Sequence, residues 1–334
     1  MKTIKNLKVP TGNICIVEGE KGLLEFLSIG DYGKNANIKA DFLGIKRELN
    51  GVPSGEVQPL EDKWVITLST QYGCNSKCVF CDVPKVGKGL NATYNDLVNQ
   101  IESALLLHPN VKSTERLNVH YARMGEPSWN PNVIKVTKNL KSITSKYIGD
   151  SKIHPVFTTM FPKNNKLLIP SLLEFAELKN NLFNGDAGIQ FSINSTDDRQ
   201  RNEMFGGSSL SREEISTIGK MLPHPVGRKY SINIALADDY IVDANRLKEL
   251  FPIDRFMVKI TPLHKTISCE QNDIKTSFGY EEYTPYRPTE EKLKAVGFDV
   301  LVFIPSLDED MGRITCGNVI LSGSLPNTKY TQII

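Results

Sequence analysis

From Lys63 onward, short runs of β-branched and other apolar residues alternate with longer stretches in which apolar positions recur every three or four residues. The first pattern predicts strands and the second amphipathic helices. The strand candidates are Trp64–Leu68, Leu117–Ala122, Val156–Thr159, Ile189–Ile193, Ser231–Leu236, Met257–Ile260 and Val300–Phe303. Between them lie helix candidates at Tyr94–Leu107, Pro131–Thr144, Leu168–Leu178, Ser211–Met221, Asp243–Leu250 and Glu290–Ala295. Thr93 is a suitable N-cap for the first, and Ser211 followed by Glu214 has the spacing of a capping box. Strands that alternate with helices predict an α/β fold with a parallel sheet, and about six such units make a partial barrel.

Residues 1–60 have a different texture. Short strand-like runs at Ile14–Val17, Leu23–Ile29 and Ile38–Leu43 are separated by glycine-rich turns, and Gly51-Val52-Pro53-Ser54-Gly55 marks a break. The expected organisation is therefore a small β-rich accessory segment (1–60), a barrel (61–305) and a C-terminal extension (306–334). No repeat or low-complexity tract interrupts it.

Composition narrows the class only modestly. At 334 residues and 40% hydrophobic content, the chain can bury a full core. No apolar run reaches about eighteen residues, so no membrane-spanning helix is expected. Lys plus Arg (40) exceeds Asp plus Glu (38) by two, a balance that argues neither for nor against a nucleic-acid partner.

The cysteines change the picture. Three of the six fall within eight residues, Cys74-Asn75-Ser76-Lys77-Cys78-Val79-Phe80-Cys81, a C-x3-C-x2-C spacing. One short loop can thus present three thiolates to an iron–sulfur cube, leaving the fourth iron without a protein ligand. A structural zinc site normally has four ligands, and no fourth Cys or His lies within twenty residues of the trio. A disulfide framework suits neither so long a chain nor its start, Met-Lys-Thr-Ile-Lys-Asn, which has no apolar leader. Thiolates that hold iron imply a reducing interior, so the expected location is cytoplasmic. In a βα barrel, reactive residues gather at the C-terminal ends of the strands. The cysteine loop comes after the first strand, Met124-Gly125-Glu126-Pro127 after the second, and Ser192 and Asn194 close the fourth.

The loop, with aromatic Phe80 before its third cysteine, resembles the signature of the radical S-adenosylmethionine (SAM) superfamily. The resemblance implies a partial (β/α)6 barrel, a [4Fe-4S] cluster held by Cys74, Cys78 and Cys81, and S-adenosyl-L-methionine on the open iron. Met-Gly-Glu-Pro is similar to the form this element takes in the RlmN/Cfr subfamily, which methylates an adenine of ribosomal RNA. Further stretches resemble that subfamily over most of residues 61–320: Ser69-Thr70-Gln71-Tyr72-Gly73-Cys74, Ser192-Ile193-Asn194, Arg201-Asn202-Glu203 and Cys316-Gly317-Asn318. By this likeness Gly125, Glu126, Thr158, Ser192, Asn194 and His264 contact SAM, and Cys316 carries a methyl group.

Such a cysteine has a physical rationale. An electrophilic sp2 carbon of a purine cannot attack the methyl of SAM, whereas a thiolate can. In the subfamily the methylated thioether then adds to the substrate carbon as a radical, giving a covalent protein–substrate intermediate.

Several departures accompany the likeness. Where the subfamily has the second cysteine that resolves this intermediate, this chain has Thr67, so Cys269 or Cys15 would have to serve. His264 replaces an Asn, Asn318 replaces a Gln, and residues 1–60 are shorter than the subfamily's helical N-terminal domain. The segment Lys265–Arg287 mixes basic residues with Phe278, Tyr280, Tyr283 and Tyr286 as single-stranded nucleic-acid surfaces do. Its Glu270, Asp273, Glu281 and Glu282 suit a solvated lid over the barrel mouth equally well.

The leading expectation is a methyltransferase acting on a purine carbon in RNA or a nucleic-acid-derived substrate, served by an electron donor such as flavodoxin or ferredoxin and working as a monomer. Two rivals stand beside it: radical chemistry directly on a small molecule or peptide, and a non-catalytic iron–sulfur protein.

Overall fold

The computed structural model describes residues 1–32, 57–276 and 283–327, with the backbone of residues 38–40 and 332–333. Three strands open the chain, β1 (Lys2–Val9), β2 (Gly12–Gly19) and β3 (Gly22–Ile29), and the short β4 (Ile38–Ala40) comes after them. The alternating part begins with β5 (Trp64–Thr67) and a ribbon of β6 (Gln71–Tyr72) and β7 (Leu90–Asn91). It continues through α1 (Tyr94–Leu106), β8 (Leu117–Tyr121), α2 (Pro131–Ile148), β9 (Ile153–Thr159), α3 (Leu168–Glu177) and β10 (Gly188–Ser192). Next come α4 (Asp198–Met204), α5 (Arg212–Met221), β11 (Tyr230–Leu236), α6 (Ala244–Leu250), β12 (Phe256–Pro262), α7 (Ile267–Gln271), α8 (Arg287–Ala295) and β13 (Val300–Ile304). The last elements are α9 (Leu307–Met311) and β14 (Gln332–Ile333). Among the described residues no helix is long and apolar enough to cross a membrane.

All these strands except β6 and β7 belong to one 12-stranded sheet ordered β14-β1-β2-β3-β5-β8-β9-β10-β11-β12-β13-β4. From β5 to β13 neighbouring strands run parallel and keep their chain order, as successive right-handed βα crossovers require. The sheet must curl. β3 and β4 lie eight strand spacings apart, about 38 Å on a flat sheet, yet the chain from Ile29 to Ile38 reaches about 31 Å at most. This is the expected α/β partial barrel.

The strand candidates all form, with shifted ends. β9 begins earlier than its apolar run because His154 and Pro155 pair with Asn118 and Val119. The strand β1 is absent from the pattern-based expectation for a physical reason: a register shift between Thr3 and Lys5 breaks its alternation of polar and apolar positions. Ser211 and Glu214 form the expected capping box, and Thr93 forms one with Asp96. Of the sequence expectations, residues 41–43, the Gly51–Gly55 break, Phe278, Tyr280, Glu281 and Glu282 lie outside the described residues. Tyr283 and Tyr286 are buried in the main core, so these two rings do not form a surface for bases to stack on.

Two cores position the site. The main one fills the space between sheet and helices, with Phe161, Phe191, Tyr230, Phe251 and Phe256 packed ring against ring and Phe157 against Phe175. β3 divides its side chains by the period of two. Leu24 and Phe26 enter this core, whereas Leu27 and Ile29 join Leu7, Val9, Ile14, Ile16, Ile314 and Ile320 in a second. The C-terminal segment therefore docks on the far face of the N-terminal strands. Those strands in turn extend the barrel sheet, since β3 pairs antiparallel with β5.

Candidate active site

The cysteine loop is held at the end of β5 by hydrogen bonds to β7 and to the turn at the end of β8. Gln71 Nε2 donates to Gly89 O and to Asn91 Oδ1, both at 2.9 Å, while Gln71 Oε1 accepts the Glu126 N–H at 3.0 Å. One side chain thus ties the loop to Met-Gly-Glu-Pro. Gly73 and Gly125 are needed for this approach. Each has a φ near +90°, and a Cβ would lie 2.1 Å from Gly87 O in the first case and 2.5 Å from Gln71 Cβ in the second.

Asp82, directly after Cys81, is the second anchor. Its carboxylate accepts from Ser268 N (2.8 Å), Ile267 N (3.1 Å), Ser268 Oγ (2.7 Å) and Lys85 Nζ (3.0 Å). Burial works to raise its pKa, but these donors, led by the Ser268 hydroxyl, outweigh it and the net shift is downward. The Asp82 N–H donates to Gly317 O at 3.0 Å, so the loop is bonded directly to the residue after Cys316.

Cys74, Cys78, Cys81 and Cys316 all line one cavity of about 340 Å³ at the C-terminal ends of the strands. Burial pushes the loop thiols upward, and for Cys78 the neighbouring Cys74 adds to it while Arg201 opposes. The trio is compatible with a cluster, because the irons of a cube take one thiolate each and the three thiols line one cavity.

The remaining sequence candidates divide clearly. Gly125, Glu126, Thr158, Ser192, Asn194 and His264 all line the same cavity. The Glu126 carboxylate is turned to structure: it accepts from Ser128 Oγ (2.7 Å), Ser128 N (3.2 Å) and Met160 N (3.0 Å). Burial raises its pKa against those bonds. Asn194 adopts φ +60° and accepts from Ala235 N at 3.0 Å. Thr158 Oγ1 donates to Gln190 Oε1 at 3.3 Å. His264 Nδ1 lies 3.2 Å from the buried Asp310 Oδ1, which also accepts from Thr315 Oγ1 at 2.9 Å. Asn318 Nδ2 donates to that same Thr315 hydroxyl at 3.0 Å, so residues on both sides of Cys316 are fastened.

Cys316 is the exposed cysteine of the six, reachable from the cavity. The surrounding protein raises its pKa, and the cations of Arg123 and Lys259 work to lower it. The other two cysteines are elsewhere. Cys15 is buried in β2, with its pKa pushed up to about 12 by burial and by Glu25. Cys269 is buried in α7, in contact distance of Phe80 O (3.6 Å) and His264 O (3.5 Å), and is not part of the cavity wall.

Several charged positions at the cavity and behind it escape sequence reasoning. Arg123 and Lys259 line the cavity. Arg123 forms a buried ion pair with Glu25 of β3, its Nε donating to Oε1 at 2.8 Å. Glu25 Oε2 accepts the N–H groups of Ile320 (2.9 Å) and Leu321 (3.2 Å), so one carboxylate joins the N-terminal strands, the barrel and the C-terminal segment. The available signal was a charge inside an otherwise apolar strand, as in Leu-Leu-Glu-Phe-Leu around Glu25 and Val-Lys-Ile around Lys259.

No protein-family model matches the chain. Among curated proteins, the probable dual-specificity RNA methyltransferase RlmN of Pseudothermotoga lettingae is 28% identical over 213 residues, 62% of this chain and 57% of that protein. The corresponding Thermotoga petrophila protein is 27% identical over 213 residues, with the same coverage. The dual-specificity RNA methyltransferase RlmN of Campylobacter lari is 33% identical over 141 residues, 42% of this chain and 35% of that protein. This chain is a relative of the RlmN methyltransferases. It spans little more than half the length of the first two. The crystal structure of a radical SAM methyltransferase from Sphaerobacter thermophilus superposes with a TM-score of 0.55 at 16% identity, over 90% of this chain and 75% of that one, a likeness of fold.

Proposed function

We propose that the chain is a radical SAM methyltransferase that uses Cys316 to methylate an sp2 carbon, in a purine of RNA or of a nucleic-acid-derived substrate. The observation that carries this reading is that Cys316, the accessible cysteine, shares one cavity with Cys74, Cys78 and Cys81. When bound, a [4Fe-4S] cluster and SAM supply an electron and a 5'-deoxyadenosyl radical. Cys74, Cys78 and Cys81 would hold the cluster; Gly125, Glu126, Thr158, Ser192, Asn194 and His264 would enclose the cosubstrate. Cys316, as thiolate, takes the methyl of one SAM, with S-adenosylhomocysteine leaving and the thiol proton passing to solvent. Arg123 and Lys259 favour that thiolate electrostatically. The RNA substrate is suggested by the names of the relatives and by no contact in this chain.

A second reading draws on a specific observation. Cys15 is not in the cavity wall, and Cys269 packs behind it against Phe80 O and His264 O, so among the described residues no thiol besides the loop trio and Cys316 opens on the cavity. That favours radical chemistry directly on a small molecule or peptide.

One experiment separates the two. Anaerobic reconstitution with iron and sulfide, reduction with SAM, and mass spectrometry of small molecules and of the Cys316 peptide should give 5'-deoxyadenosine and S-methylcysteine at 316. Deoxyadenosine with bare Cys316 supports direct radical chemistry, and no deoxyadenosine under reduction supports a non-catalytic iron–sulfur protein.

A further inference from the structure

Lys259 stands at the middle of β12, opposite Asn233 of β11 and Leu301 of β13, with its side chain in the cavity wall. The strand around it, Phe-Met-Val-Lys-Ile-Thr-Pro, is otherwise suited to a core. Its ammonium lies 5.6 Å from the centre of the Phe303 ring. Among the described residues no carboxylate forms an ion pair with it, although Glu126 and Glu309 line the same cavity; Arg228, Lys63 and the thiol of Cys316 are charged or ionisable groups that act on it. His120, also on the cavity wall, is held neutral by burial and by these cations. Asn233 Oδ1, on the neighbouring strand, is buried with no hydrogen-bond partner.

Other cations around the barrel are treated differently. Arg123 has Glu25, Arg201 donates to Ser192 O and Ser209 Oγ, and the buried Lys179 donates to Val226 O at 2.5 Å. A half-buried ammonium without such a partner is costly unless it meets an anion, and a nearby unpartnered acceptor calls for a hydroxyl or N–H donor. Both residues line the same cavity.

We propose that Lys259 receives an anionic group, a phosphate monoester or a carboxylate, of a small ligand that enters the barrel between β11 and β13, with Asn233 accepting a hydrogen bond from the same ligand. Binding of this kind needs no methyl transfer and holds whichever chemistry the site performs. The anion has two sources, the carboxylate of SAM or a group on the substrate.

The test is calorimetry on the full, cluster-reconstituted chain and on Lys259→Gln at pH 7, with SAM, adenosine, adenosine 5'-monophosphate, inorganic phosphate and acetate as probes. A substrate-borne anion is indicated if the monophosphate or a free anion binds the native chain at least tenfold tighter than it binds the variant while SAM and adenosine are unchanged. A tenfold loss for SAM alone assigns the anion to the cosubstrate. A variant that binds all five probes as the native chain does overturns the proposal. Adenosine affinity reports whether the variant keeps its cavity, and comparing monophosphate with adenosine on the native chain needs no variant at all.

Discussion

Removing the Glu25 carboxylate should release the segment that carries Cys316 and cost the fold a large share of its stability. The carboxylate accepts from Arg123 Nε and Nη2 and from the backbone of Ile320 and Leu321, with the two charged side chains only 2% and 0% exposed. In Glu25→Ala the guanidinium keeps Arg313 O at 3.0 Å and loses its counter-charge. Breaking a buried pair from one side costs about 3–5 kcal/mol, and two orphaned N–H groups add about 1–3 kcal/mol each where water cannot reach them. These terms overlap, so about 4–6 kcal/mol is the expected loss. With an unfolding entropy of about 2.1 cal/mol/K per residue, a 334-residue chain should melt about 6–9 °C lower. Thermal melting gives the global term, and the rate of Cys316 alkylation by iodoacetamide in the native state gives the local one; it should rise as the segment loosens. Glu25→Gln should lose less, and the double change Glu25→Leu with Arg123→Met should recover much of the stability, because an apolar pair needs no desolvated charges. A Glu25→Ala protein within about 1 kcal/mol of the native chain, with Cys316 no more reactive, would refute the reasoning.

Four further outcomes can be checked. Cys316→Ala should abolish methyl transfer while 5'-deoxyadenosine release persists, measured by chromatography after anaerobic reduction; loss of both would make the residue structural. Cys269→Ala should turn over normally, since its thiol lies outside the cavity wall, and accumulation of a protein–substrate adduct would restore it to the mechanism. In Gly125→Ala a Cβ would meet Gln71 Cβ at 2.5 Å and its backbone N at 2.9 Å at φ +90°, so both loops must shift; a loss of about 2 kcal/mol or more by denaturant titration is expected. Burial, with help from Arg228, brings the pKa of Lys259 down to about 8 from an ordinary 10.5. The unfolded chain therefore binds more protons between pH 8 and 10.5, and this lysine should make stability rise with pH across that window. Lys259→Met should remove the rise and stabilise the protein at pH 7 by up to about 3 kcal/mol, from 2.5 pKa units at about 1.36 kcal/mol each, less whatever solvent screening in the cavity relieves; a flat native profile counts against the assignment.

Local pattern determined much of this protein. The alternation of apolar runs and helical periods yields the strands β5 and β8 to β13 and the helices α1, α2, α3, α5, α6 and α8, because strand and helix periods depend on neighbours two to four residues away. The cysteine spacing likewise marks one loop as the candidate cluster-binding end, since three thiols within eight residues need no help from the rest of the fold to be neighbours. Where pattern depends on register it failed, as in β1, whose shift between Thr3 and Lys5 only its partner strand reveals. The tertiary structure decided which remaining thiols meet the cavity, admitting Cys316 and leaving Cys15 and Cys269 in packed surroundings. It also decided that an N-terminal strand serves the site: Glu25 reaches Arg123 across 98 residues and Ile320 across 295. No local signal encodes such pairings, because a buried charge is tolerable only where the whole sheet, once curled, brings its partner to it.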